Sequence, residues 1–141
     1  MLMQSGRPAL VLPYAGSFGP IGKRVLIAWN ESRESARAVS AALPWLRTAS
    51  SVHIVAYGDE AQQALDRLQM FLRAHGVADL RLHAGSRDDD VGNQLLSMAA
   101  DTGADLLVMG CYGHSRAREW VLGGATRTIL ATMTLPVLMS H

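Results

Sequence analysis

Short apolar runs separated by longer amphipathic stretches set the strongest limit on what this chain can become. Lys23 to Trp29 (KRVLIAW), Ser51 to Tyr57 (SVHIVAY), Ala78 to His83 (ADLRLH), Asp105 to Met109 (DLLVM) and Pro136 to Met139 (PVLM) each read as a strand. Between them, apolar residues such as Ala61, Ala64, Leu65, Leu68, Phe71 and Leu72 recur every three or four positions. That spacing marks the buried face of a helix. Strand and helix in turn imply βαβ units, a parallel sheet and right-handed crossovers that place helices on both faces. DLLVM is an uninterrupted apolar run, as expected for a strand buried on both faces, whereas ADLRLH alternates and reads as nearer an edge. Ligands in such folds sit at the carboxyl ends of the strands, where the strand order reverses.

Local signals place the helix ends. Ser32 is an N-cap candidate, because its hydroxyl can accept from a free amide of the first turn. Pro44 removes an amide and is expected to break or kink that helix, leaving Trp45 and Leu46 in a short second piece. Gly76 and Gly103 are natural stops. Asp88, Asp89 and Asp90 precede a helix whose dipole they complement; as neighbours in one turn they do not converge on a metal. Ala125 to Met133 reads as the last helix.

Composition narrows the function classes. The 141 residues suit one domain. A single cysteine, Cys111, excludes an internal disulfide framework and fits a reducing, cytoplasmic setting. Thirteen Lys and Arg against twelve Asp and Glu give a net charge of +1, which argues against a nucleic-acid binder acting through bulk charge. No apolar run approaches the ~18 residues of a spanning helix, so no membrane partner is expected. His53, His75, His83 and His141 show no metal-ligand spacing.

Residues 1–22 form an extension ahead of a domain at 23–141. Within the extension, RPALVL resembles the closing LPVLM, each with a proline before a short apolar run. It is either an extra edge strand or the tail of an upstream copy of the same domain, with AGSFGPIG as the linker.

The informative loop is Gly110-Cys-Tyr-Gly113, nine further residues, then Gly123-Gly124-Ala125-Thr126. It follows a buried strand and opens a helix. Glycines let backbone amides approach an anion, and a helix start adds free amides and partial positive charge. Cys111 and His114 share the loop, but no third residue stands at a spacing that would orient a base, so no catalytic residue is assigned.

G-x2-G-x9-G, carried here by Gly110, Gly113 and Gly123, resembles the nucleotide loop of the universal stress protein family. DLLVMGCYGHSRAREWVLGGATRTIL is similar to that family throughout, and KRVLIAW followed by NES resembles its opening strand and turn. The resemblance implies an α/β fold with an open five-stranded parallel sheet of order 3-2-1-4-5, helices on both faces, and a short extra N-terminal strand here. It implies binding or sensing of an adenine nucleotide such as ATP, with magnesium as a candidate companion, in a stress response, and at most weak ATP hydrolysis. The matching contact positions are Ala28, Asn30, Tyr57, Met109, Gly110, Gly113, His114, Gly123, Gly124, Ala125 and Thr126. Asn30 stands where ATP-binding members carry Asp, and Gly124 where they carry Ser or Thr. The resemblance also implies a homodimer, through Pro136 to Ser140 and with Pro8 to Leu12 as a further element. The alternative reading is a dimerisation or scaffold domain that binds no nucleotide and acts through protein contacts.

Overall fold

Six strands and four helices alternate along the chain: β1 (Ala9–Val11), β2 (Arg24–Ala28), α1 (Arg33–Thr48), β3 (Ser51–Tyr57), α2 (Ala61–Ala74), β4 (Leu80–Gly85), α3 (Val91–Thr102), β5 (Leu106–Gly110), α4 (Gly124–Thr132) and β6 (Val137–Ser140). The computed structural model describes residues 8–13, 19–86, 90–110 and 124–140; for Gly124 and Ala125 it describes only the helix backbone. The strands form one sheet of order β1-β6-β5-β2-β3-β4. The run β4-β3-β2-β5-β6 is parallel throughout, and is the order 3-2-1-4-5 implied by the resemblance. The five-stranded description needs one correction. β1 joins the same sheet as a sixth strand, antiparallel to β6, with Ala9 opposite Met139 and Val11 opposite Val137. The closing strand is thus paired on both sides within one chain, since an unpaired apolar edge would otherwise offer its backbone to any passing strand.

Alternation along the central strands divides the core in two. Val25, Ile27, Leu106 and Val108 pack with Ala38, Val39 and Leu46 of α1 and with Leu65, Leu68 and Leu72 of α2. Leu26, Ala28, Leu107 and Met109 pack on the other face with Val91, Leu95 and Ala99 of α3 and Ile129 of α4. Each fully buried leucine contributes about 1.5–3 kcal/mol of transfer free energy, which explains why DLLVM carries no polar residue after its first.

The helix-end signals hold where they are described. Ser32 Oγ accepts from the Ser35 amide at 3.0 Å, and Asp90 caps α3 from its carboxylate. Gly76 and Gly103 take φ of 87° and 67° just past their helices. Pro44 neither breaks nor divides α1, which runs unbroken to Thr48. Pro44 is exposed, and so is Ser40, whose carbonyl would have received the missing amide, so water can replace that bond. Leu46 beyond the proline is 1% exposed in the core, and Trp45 packs so closely on Gly22 that a Cβ there would lie 2.5 Å from the indole. Burial of these two residues holds the last turn in line. β4 begins two residues later than expected and β6 one.

At the amino end of the sheet, the Asp105 carboxylate ties β5 to β2. It accepts hydrogen bonds from the amides of Gly22 at 2.6 Å, Lys23 at 3.0 Å and Arg24 at 3.1 Å. Gly22 takes φ 97°, a conformation glycine adopts at little cost.

Candidate functional site

β2 leads through β3 to β4 on one side of the sheet, while β5 leads to β6 on the other. The order reverses between β2 and β5, so the crevice beyond their carboxyl ends is the place for a ligand. Ala28, Trp29 and Asn30 stand at the β2 side of this rim, Met109 and Gly110 at the β5 side and Tyr57 at the end of β3, while α4 packs beside α3 on one face of the sheet.

The turn after β2 is tightly organised. The Trp29 amide donates to the Val55 carbonyl at 2.9 Å. Asn30 Oδ1 accepts from the Ser32 amide at 3.1 Å, a turn that leads into the Ser32 cap. Between them Glu31 takes φ 60°, left-handed and uncommon for a non-glycine residue. Its carboxylate receives two hydrogen bonds from Arg67 of α2, Nε at 2.6 Å and Nη2 at 2.7 Å. The paired guanidinium and the carboxamide turn together hold this strained residue at the rim.

Gly110 has a steric role of its own. A Cβ there would lie 2.5 Å from the Ser35 nitrogen and 2.8 Å from the Glu34 carbonyl carbon. Only glycine lets the first turn of α1 seat on the end of β5. Ala28 and Met109 are core residues, 8% and 1% exposed, on the α3/α4 face. Tyr57 is half-buried and packs its ring where a Cβ of Gly85 would be.

Thr126, in the first turn of α4, is 2% exposed, so its side chain is turned inward rather than to solvent. Its Oγ1 is buried with no hydrogen-bond partner among the described residues, as are Trp29 Nε1 and Ser140 Oγ. A buried donor without a partner costs about 1–3 kcal/mol, so such atoms point to groups a ligand could satisfy. Gly113, His114 and Gly123 lie outside the described residues, as do Cys111, Asp88 and Asp89. Trp29, Glu31 and Ser140 are not among the contact positions expected from the sequence. Only the NES turn hinted at Glu31, and nothing in the residue type announces a left-handed glutamate. A separate cleft of about 430 Å³ lies between α1 and the β1/β6 edge, lined by Pro8, Arg33, Ala36, Arg37, Ser40 and Ser140. Among the described residues no three His, Cys, Asp or Glu side chains converge as a metal site, and no helix is long and apolar enough to cross a membrane.

Residues 48–141 match the model of the universal stress protein family. The chain belongs to that family. A curated relative, universal stress protein Slr1230 of Synechocystis, is 32% identical over 89 residues, covering 62% of this chain and 31% of the relative. A crystal structure of a universal stress protein from Archaeoglobus fulgidus superposes with a TM-score of 0.76 at 20% identity, over 99% of this chain and 51% of that one. The chain therefore spans about half of that structure and under a third of the Synechocystis relative. An Archaeoglobus fulgidus family member solved in complex with dAMP has a TM-score of 0.64 and 18% identity, covering 84% of this chain and 97% of that one. At these identities the solved structures speak for the shared α/β fold.

Proposed function

We propose that the rim between β2 and β5 binds an adenine nucleotide, and that the domain works as a nucleotide-sensing module in a stress response. The observation that carries this reading is Thr126. Its hydroxyl is buried at the start of α4 with no partner among the described residues, beside Gly124, the position where ATP-binding members supply a hydroxyl. Thr126 Oγ1, with the amides of Gly123, Gly124 and Ala125, meets phosphate at the helix start. Gly113 and His114 complete the phosphate side. Ala28, Tyr57 and Met109 form the adenine side, and Asn30 contacts the sugar or phosphate through its carboxamide nitrogen, its Oδ1 being engaged by the Ser32 amide. The family member solved with dAMP supports an adenine nucleotide as the ligand class. Asn30 brings no charge to a cation, so any magnesium is held chiefly by the nucleotide. No side chain is assigned to hydrolysis, and binding acts by biasing a partner surface.

Asn30 and Gly110 also favour the scaffold reading, because each has a structural task. Asn30 Oδ1 shapes the turn into α1, and Gly110 makes room for that helix. A thermal-shift titration with dAMP, AMP and ATP, with and without magnesium, separates the two. Binding to the native state raises the melting temperature with ligand concentration. A saturable rise that weakens in Thr126→Val and in Gly113→Val is the expected result. No rise at millimolar nucleotide would leave the scaffold reading standing, with β1 and β6 as the surface to probe.

A further inference from the structure

The cleft of about 430 Å³ between α1 and the β1/β6 edge is walled on its helix side by a single stripe. Arg33, Ala36, Arg37 and Ser40 follow one another at spacings of three and four, so they share one face of α1. That face flanks the buried stripe of Ser35, Ala38, Val39 and Ala42, and it stays exposed. The sheet side is Pro8 and Ser140. Alternation along β6 sends Val137 and Met139 to the α3/α4 face and Leu138 to the α1 face. Ser140 therefore turns toward α1 as well. β1 and β6 pair with Ala9 opposite Met139, so one step on Pro8 comes level with Ser140.

Ser140 is 0% exposed, and its Oγ has no hydrogen-bond partner among the described residues. A buried hydroxyl without a partner is uncommon in a folded protein, and on the wall of a cleft it points to a ligand group. Arg33, on the opposite wall, has no ion-pair partner among the described residues. Arg37 stands one turn further along, and its five N–H donors allow it to keep another contact and still serve the cleft. Two guanidinium groups one turn apart repel slightly, and an anion between them relieves that repulsion.

We propose that this cleft binds the phosphate group of a small molecule, with Arg33, Arg37 and the Ser140 hydroxyl as its donors. A single guanidinium fork would serve a planar carboxylate. Two forks on successive turns, joined by the hydroxyls of Ser140 and Ser40, approach from several directions and suit a tetrahedral oxyanion. Pro8 and Ala36 add apolar wall, and the volume falls in the range of small-molecule sites, so the ligand carries an organic body beside its phosphate. The cleft lies on the α1 face of the sheet, whereas Thr126 of the proposed nucleotide site belongs to α4 on the other face. The two sites are separate, and this one does not depend on nucleotide binding at the rim.

The test is a titration of the full chain with phenyl phosphate, followed by calorimetry and by proton–nitrogen NMR that includes the arginine Nε–H signals. Saturable binding of one molecule per chain is expected, with the largest shifts at Arg33 Nε, Arg37 Nε and the amides of Ser40 and Ser140. Benzoate, which presents a planar carboxylate on the same ring, should bind at least ~5-fold more weakly. Arg33→Gln and Ser140→Ala should each weaken phenyl phosphate at least ~5-fold, while Arg73→Gln, at an exposed charge on α2, leaves it unchanged. No saturation at millimolar phenyl phosphate, shifts centred on Asn30 and Thr126, benzoate binding as tightly, or unchanged affinity in Arg33→Gln would each overturn the site. The NMR arm uses the unmodified chain and decides the matter even if a variant fails to fold.

Discussion

At the amino end of the strands, one carboxylate accepts from three consecutive amides, and Lys23 and Asp79 carbonyls receive the amides that open β3. At the carboxyl end, Trp29 Nε1, Thr126 Oγ1 and Ser140 Oγ are buried with no hydrogen-bond partner among the described residues, and Glu31 sits at φ 60°. The two ends belong to the same strands and share the same core. They differ in how their polar groups are satisfied. The amino end spends its hydrogen bonds on joining β2, β3 and β5, whereas the carboxyl end leaves three buried side-chain groups without a partner among the described residues, which the proposed ligands would find available.

Substitutions at the two ends should therefore separate stability from binding. The largest effect is expected at Gly110, where the carboxyl rim has a structural task. Gly110→Val should cost about 3 kcal/mol, because its Cβ would meet the backbone of Ser35 and Glu34 rather than a flexible side-chain tip. Denaturant unfolding measures this, and a near-neutral result would show that the start of α1 can shift. Next comes Asp105→Ala at the amino end, which removes three charge-assisted acceptor contacts and should cost about 2 kcal/mol by the same measurement, with nucleotide affinity unchanged. Ser32→Ala should cost about 1 kcal/mol through the lost cap of α1.

Thr126→Val sharpens the contrast in the other direction. Replacing an unpartnered buried hydroxyl by a methyl should leave folding stability level or slightly raised, while dAMP binding, read by calorimetry, weakens about five-fold for a loss of about 1 kcal/mol. A destabilised Thr126→Val with unchanged binding would assign that hydroxyl to the scaffold instead.

The smallest effect is with pH. Burial, the neighbouring His83 and the Arg81 charge hold the His53 pKa below its ordinary value, with Asp79 opposing. The unfolded chain then takes up a proton at a pH where the native chain does not. Stability should be full above the ordinary histidine range and decline as pH falls through it toward the lowered native value. His53→Gln should flatten that decline in unfolding curves taken across the range.

The sequence carries the order of elements, the parallel sheet and both core faces, because apolar spacing is a local record of which side of a strand or helix meets the interior. It also carries the Ser32 cap and the stops at Gly76 and Gly103, since each depends on neighbours within one turn. Gly110 and Thr126 could be named from the glycine motif, although their tasks could not. A Cβ at Gly110 is forbidden by residues some 75 positions away, a separation along the chain that no spacing rule reads.

Tertiary structure decided the rest. It kept α1 continuous through Pro44, because burial of Leu46 and the contact of Trp45 with Gly22 outweigh one missing amide on a wet face. It turned the N-terminal strand into the cover of β6, a choice of partner among edges that the strand's own composition leaves open. It drew Asp105 onto the start of β2, and it brought together two histidines with no shared motif, because strand register, unlike helix period, is set between segments and not within them.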